Sequence, residues 1–268
     1  MKSGWLRGYA VGYLLFLYAP ILLLPVFAFN QGKIIAFPLT GFSLKWFQEM
    51  VAIPELRQAF WNSFRIAVAT SLIATTLGVF AARASTRYNF RGKGAAMGLI
   101  MLPLVLPDII LAISLLVVLL QLGIPLTMWT VILGHVLVCT PFTIAILNSA
   151  FMSLDRSLEE AAIDLGESKF STFRLITLPL VMPGIISSVL IAFTISLDEF
   201  ITSFFLTGAN PTLPVYIFSQ FRYPAKVPVI MALGTVLVLS SILLLAIAEY
   251  FRRRGVRRQG GKNTGGFL

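Results

Sequence analysis

Three acidic side chains interrupt otherwise apolar stretches: Asp108 in Leu106-Pro107-Asp108-Ile109-Ile110, and the pair Asp198 and Glu199 after Ser196-Leu197. A charged group in hydrocarbon costs on the order of 2.5–3.5 kcal/mol on insertion scales, so such residues face a cavity or a partner. Ionised carboxylates at two depths would offset the desolvation of an ammonium group and hand a cation inward. Asp108 is expected near mid-depth, just after Pro103 and Pro107 loosen its helix. Asp198 is expected in the outer half, about 22 Å of helix beyond Pro183. Neighbouring helical residues diverge by about 100°, so Asp198 is the first choice for the pathway and Glu199 the residue that bonds a neighbouring helix. The structural alternatives are that Asp108 caps a Pro-broken helix and that Glu199 pairs with Arg65 or a base of the outer loop. The one histidine, His135, and the one cysteine, Cys139, cannot supply the four ligands of a metal site, and no Gly-x-Ser-x-Gly stretch accompanies His135. His135 therefore reads as a hydrogen-bonded packing residue. Gly92-Lys93-Gly94 lacks the upstream glycine spacing and the following Ser/Thr of a phosphate loop, so no ATP site is encoded.

A second segment with chemistry runs from Met152 to Pro179. Leu158, Ala161, Ala162 and Leu165 recur at helical spacing, Glu159, Glu160 and Asp164 occupy the other faces, and Gly166 is a C-terminal stop. A further helical stretch, Phe170 to Ile176, leads through Thr177-Leu178-Pro179 into the next apolar run. The pattern predicts a compact helix-Gly-helix projection suited to close docking, with an ordinary interhelix connector as the alternative.

These residues must be positioned by membrane spans. Hydrophobic residues make up 57% of the 268, charged ones only 12%, and the mean hydropathy is +0.88, which leaves too little polar surface for a water-soluble globule. Six stretches are long and apolar enough to cross, near 8–29, 61–82, 95–122, 128–152, 177–206 and 227–248, with the fifth expected to start late. Outside them, fifteen Lys and Arg fall in the N-terminus, the 83–94 and 152–176 loops and the tail, against five in the opposite loops. Positive residues stay inside, so both termini are expected in the cytoplasm. The net charge of +10 is then topology, not a nucleic-acid face. The run Arg252, Arg253, Arg254, Arg257, Arg258 reads as an anchor to anionic lipid. Lys2 and Arg7 precede an uncleaved first span, because no small-x-small cleavage site follows. In the first outward loop Ser43–Met50 reads as a capped amphipathic helix on the outer interface. Its Trp46 and Phe47 are read as interfacial aromatics, with a contact to the transported ligand as the alternative. The outward loop after Leu206 is turn-rich, with room for one short helix over a pore mouth.

Glu160-Ala161-Ala162, three residues, Gly166, nine residues, Ile176, one residue and Leu178-Pro179 resemble the EAA motif of bacterial binding-protein-dependent ABC importer permeases at every defined position. The likeness extends across nearly the whole chain to the spermidine/putrescine permease group, through Leu44-Lys45-Trp46-Phe47, Leu106–Ile110, Gly134-His135-Val136 and Ser196–Glu199. It departs at Met231, where that group usually carries Asn. The resemblance implies an all-α polytopic fold of the type I importer, one permease domain over 1–268, in the bacterial inner membrane. It implies that loop 152–179 is a coupling helix seated on a cytoplasmic ATPase dimer, with Glu160 pairing at its surface, Ala161, Ala162 and Asp164 in the contact and Gly166 forming the turn. ATP and Mg would be bound by that ATPase, with none in this chain. A second homologous permease, an external binding protein and membrane lipid would be the other partners. The expected cargo is a small cationic amine, polyamine-like, with opines and amino-acid derivatives as alternatives, passing Asp108, Asp198, Glu199 and Trp46. A gradient-driven carrier or channel is the rival class, and it would not need the Glu160–Pro179 projection.

Overall fold

The computed structural model describes residues 3–258, with side chains from 5 to 243. In chain order the helices are α1 (Ser3–Ala28), α2 (Lys45–Ala52), α3 (Pro54–Arg87), α4 (Lys93–Met101), α5 (Asp108–Gln121), α6 (Met128–Met152), α7 (Arg156–Asp164), α8 (Lys169–Thr172), α9 (Leu178–Asp198), α10 (Ile201–Leu206), α11 (Leu213–Gln220) and α12 (Val227–Arg258). Two compact units result: Met1–Pro54 with Ile217–Leu268, and Glu55–Tyr216. Five helical segments are long and apolar enough to cross a membrane, and α4 with α5 makes a sixth if the bent pair counts as one span. The arginines of the tail lie on the last turns of α12, outside the described side chains, and Lys2 lies outside the described residues.

In the first unit α1 and α12 pack together and α2 lies against α12. Most of α1's large apolar side chains are exposed, as expected of a helix whose solvent is lipid. The first outward loop is organised around Asn30. Its Oδ1 accepts the N–H and the hydroxyl of Thr40, and its carbonyl accepts Trp46 Nε1–H at 2.6 Å. Trp46 is thereby placed inside this unit, beside Ala28, Val229 and Ala232 and 2% exposed. The reading of Trp46 as an interfacial aromatic is corrected: its ring is spent on packing α2 against α12, while Phe47 packs at the edge of the same cluster.

In the second unit α6 is the central helix, packed on α9, α10 and the short 3₁₀ turn Leu102–Leu104. Small residues let the backbones close: a Cβ on Gly134 would stand 2.4 Å from Thr202 Cγ2 and 2.8 Å from Leu206 Cδ1. Two of the predicted spans differ from expectation. The stretch 95–122 is two helices bent by 106°, because the 3₁₀ turn Leu102–Leu104 ends α4 and Pro107, extended at ψ 132°, restarts the chain as α5. The fifth span starts early and stops early. Helix runs from Lys169 through a π-helical stretch, Phe173–Thr177, into α9, and breaks at Glu199, whose ψ of 105° is not helical.

Candidate functional site: the 152–179 projection and the polar face of α9

Helix α7 is a nine-residue projection with both ends fixed by its own sequence. At its start Asp155 accepts the Ser157 N–H at 3.0 Å, and this bond holds the Asp155 carboxyl below the usual aspartate range. At its end the Glu167 N–H bonds Ala162 O and the Gly166 N–H bonds Ile163 O, a Schellman closure that requires a left-handed residue. Gly166 supplies it, with φ +94°. The chain then reverses into α8, capped by Ser168 on the Ser171 N–H.

The projection has two faces. Outward it presents Leu158, Ile163, Leu165 and Phe170, with Leu165 87% and Phe170 73% exposed. Ala161 and Asp164 are exposed, whereas Ala162 is buried against the unit. Inward it is pinned by Glu159, one of the acids on the polar faces of the helix. Its Oε2 lies 2.6 Å from Arg87 Nε at the end of α3, with both side chains largely buried. Its Oε1 accepts the Thr177 hydroxyl at 2.6 Å, and Thr177 closes the π-helical entry to α9. Arg87 also donates to Leu154 O, and Arg156 to Thr86 O. Glu160 is exposed, at the rim of a cavity of about 190 Å³ lined by Arg83, Arg87, Arg156 and Lys169. Only adjacency in space shows these links, since Arg83 and Arg87 stand some seventy residues from Glu159; in sequence they read as topogenic charge.

Asp108 is the first residue of α5, exposed and without a bonded partner among the described residues. Asp108 makes no cap hydrogen bond, since the N-cap position is Pro107, although a carboxylate in the first turn is favoured by the helix dipole. Asp198 ends α9 and is exposed, also without such a partner. Glu199 is half-buried, and its Oε1 accepts the Thr202 N–H at 2.9 Å, capping α10. Its partner is thus the backbone of the next helix, not Arg65. On α9 the buried stripe Ser188, Ala192, Ser196 faces α6, and Ser187, Thr194 and Asp198 follow one another on the exposed side. The Ser187 and Thr194 hydroxyls bond back to Pro183 O and Leu190 O, so a polar stripe on a membrane helix is kept on its outward face. His135 is buried and joins Ser196 at 2.7 Å and Ser203 at 2.9 Å, the packing role expected of it, and it bridges the break between α9 and α10. No group of three or more potential metal ligands occurs among the described residues.

Residues 74–257 match the family model described as "Binding-protein-dependent transport system inner membrane component". The chain is 34% identical to the spermidine/putrescine transport system permease protein PotC of Shigella flexneri, over 95% of this chain and 96% of that one. It is 38% identical to the putrescine transport system permease protein PotI of Escherichia coli K12, over 91% of each. Among solved structures it resembles a chain of the bacterial alginate ABC transporter in complex with an alginate-bound periplasmic protein. That match has a TM-score of 0.71 and 19% identity, covering 94% of this chain and 93% of that one. It also resembles a chain of an amino acid ABC transporter crystallised with histidines, at TM-score 0.55 and 18% identity, covering 79% and 99%.

Proposed function

From the premise that this chain belongs to the binding-protein-dependent transport system inner membrane components, and is a permease subunit of an ATP-driven importer, we propose how its parts divide the work. Loop 152–179 is the seat of a cytoplasmic ATPase dimer, which binds the ATP and Mg. The observation that carries this is α7: a short helix capped at both ends, held from behind by Glu159, that turns Leu158 and Leu165 to solvent. Exposed leucines on a cytoplasmic loop have no lipid to cover them, so a protein surface is their natural partner. Ala161 and Asp164 complete that contact, Gly166 sets its turn, Glu160 pairs at its rim, and Ala162 fixes the helix to the permease. When the ATPase closes, displacement of α7 passes through Glu159 to Arg87 on α3 and to Thr177 at the foot of α9, and the spans move as rigid bodies.

The transported ligand passes the exposed face of α9. Asp108 and Asp198 are exposed in the single chain, and a carboxylate facing lipid is costly, so they face the water-filled gap shared with a second, homologous permease. Two acids without internal partners suit a small cationic amine, and PotC and PotI are named for polyamines. Glu199 shapes the pathway by capping α10, and Trp46 holds the first outward loop within its own unit. A binding protein delivers the ligand from outside, both termini lie in the cytoplasm, and residues 1–268 act as one permease domain.

The test is to purify the chain with its ATPase, sister permease and binding protein, reconstitute it, and measure which ligand-loaded binding protein stimulates ATP hydrolysis. Stimulation by a diamine or polyamine is expected. Uptake driven by an ion gradient without ATP would sink the reading.

A further inference from the structure

Four bases from three elements close on one cavity. Arg83 and Arg87 come from the last turns of α3, Arg156 from the first turn of α7 and Lys169 from the start of α8. Glu159 and Glu160 complete its charged lining, and its volume is about 190 Å³. Four bases against two acids leave an excess of two positive charges. Glu159 is already matched to Arg87 and Thr177, while Glu160 has no ion pair among the described residues. Arg83 is fixed yet underused. Its guanidinium lies 4.1 Å from the centre of the Phe173 ring, its Nε is shielded from water with no hydrogen-bond partner among the described residues, and its one described bond is a long 3.5 Å contact to Lys169 O. The Lys169 ammonium has no described acceptor.

Guanidinium groups held in place with unspent N–H donors are what phosphate recognition requires. The volume lies below the roughly 300 Å³ at which pockets begin to enclose a drug-sized ligand, so the occupant is a small anionic group. We infer that this cavity is a phosphate site, filled by the headgroup phosphate of an anionic phospholipid or by free phosphate. Because the cavity opens beside the ends of α3 and α7, an occupant would brace the projection against the span. Membrane composition would then tune how firmly α7 is held. That last consequence rests on the coupling role proposed for α7; the site itself does not.

The assembled complex is examined by native mass spectrometry with added phosphatidylglycerol, with phosphatidylcholine, and with inorganic phosphate as competitor. Preferential retention of phosphatidylglycerol is expected, falling about fivefold for each base removed in Arg83→Gln and Lys169→Gln, with phosphatidylcholine unaffected. Arg83→Lys should keep most of it, which separates charge from misfolding. Retained phosphate without lipid preference assigns the site to the free anion. Equal phosphatidylglycerol retention by the double variant and the parent overturns the inference, as does capture of the cavity by an ATPase segment, seen as crosslinking from Arg83→Cys. Stimulated ATP hydrolysis is measured on the same samples. Intact stimulation without anion selectivity defeats this site alone, and selectivity without stimulation defeats the coupling role alone.

Discussion

Glu159 precedes the glutamate that the motif marks, and its two contacts make it the residue through which α7 can push. Its ion pair with Arg87 is only 10–15% exposed, so breaking it by Glu159→Gln should cost about 2 kcal/mol, below the roughly 3–5 of a fully dry pair. Global folding should survive, but uptake per ATP hydrolysed in proteoliposomes should drop about tenfold, and the exchange Arg87→Glu with Glu159→Arg should recover part of it. An unchanged ratio would remove Glu159 from the force path. Asp198→Asn keeps size and removes charge. Uptake of the cationic ligand should fall about tenfold, as one pK-unit-scale interaction of about 1.4 kcal/mol would give, with basal ATP hydrolysis intact. Equal uptake by this variant would return Asp198 to a merely structural role. Asp108 and Asp198 were legible in sequence because a charge inside an apolar run stands out. Glu159, Ser187 and Thr194 were not: one looked like any loop acid, and the two hydroxyls became a stripe only once α9 had a buried side.

Helix ends decide the behaviour of the elements. Gly166 has φ +94°, and a Cβ there would meet nothing within 4 Å, so any substitution acts through the backbone alone. Gly166→Val should strain the turn by more than about 1 kcal/mol and abolish ligand-stimulated ATP hydrolysis while the subunit still inserts; Gly166→Asn should be much milder. Normal stimulation in the valine variant would count against a fixed turn. Gly134 makes the opposite case, being tight in space. Gly134→Ala should cost about 1–3 kcal/mol and lower the melting temperature of the solubilised complex, and adding Thr202→Ser, which removes the methyl 2.4 Å away, should restore part of the loss. The length of the apolar runs gave α6 its extent but misjudged the third and fifth spans. Apolar runs do not report where prolines or a capping carboxylate interrupt the backbone, and at 102–107 and at Glu199 those local bonds overrode a uniformly hydrophobic pattern.

Contacts inside the second unit fix how its helices cross. Arg87, ending α3, reaches Glu159, which follows α6, so the C-terminal ends of α3 and α6 lie on one membrane face. Asn62 near the start of α3 donates to Pro211 O, and Ser63 accepts the Leu213 N–H, so the start of α3 shares the other face with the segment after α10. If α3 and α6 each cross once, the chain changes sides between Arg87 and Met128, and we propose that the bent pair α4–α5 makes that crossing. With α1 and α12 as two further spans we propose six crossings, for which the distribution of Lys and Arg would put both termini in the cytoplasm. The single cysteine, Cys139, is fully buried, so the parent chain is silent to an impermeant maleimide and single cysteines can be read against it. Leu165→Cys and Arg91→Cys should label in inverted vesicles and not in intact cells. Leu122→Cys and Ala209→Cys should show the reverse. Leu122→Cys labelling with Arg91→Cys would make α4–α5 re-entrant, and the contact between Arg87 and Glu159 could not then form across the bilayer.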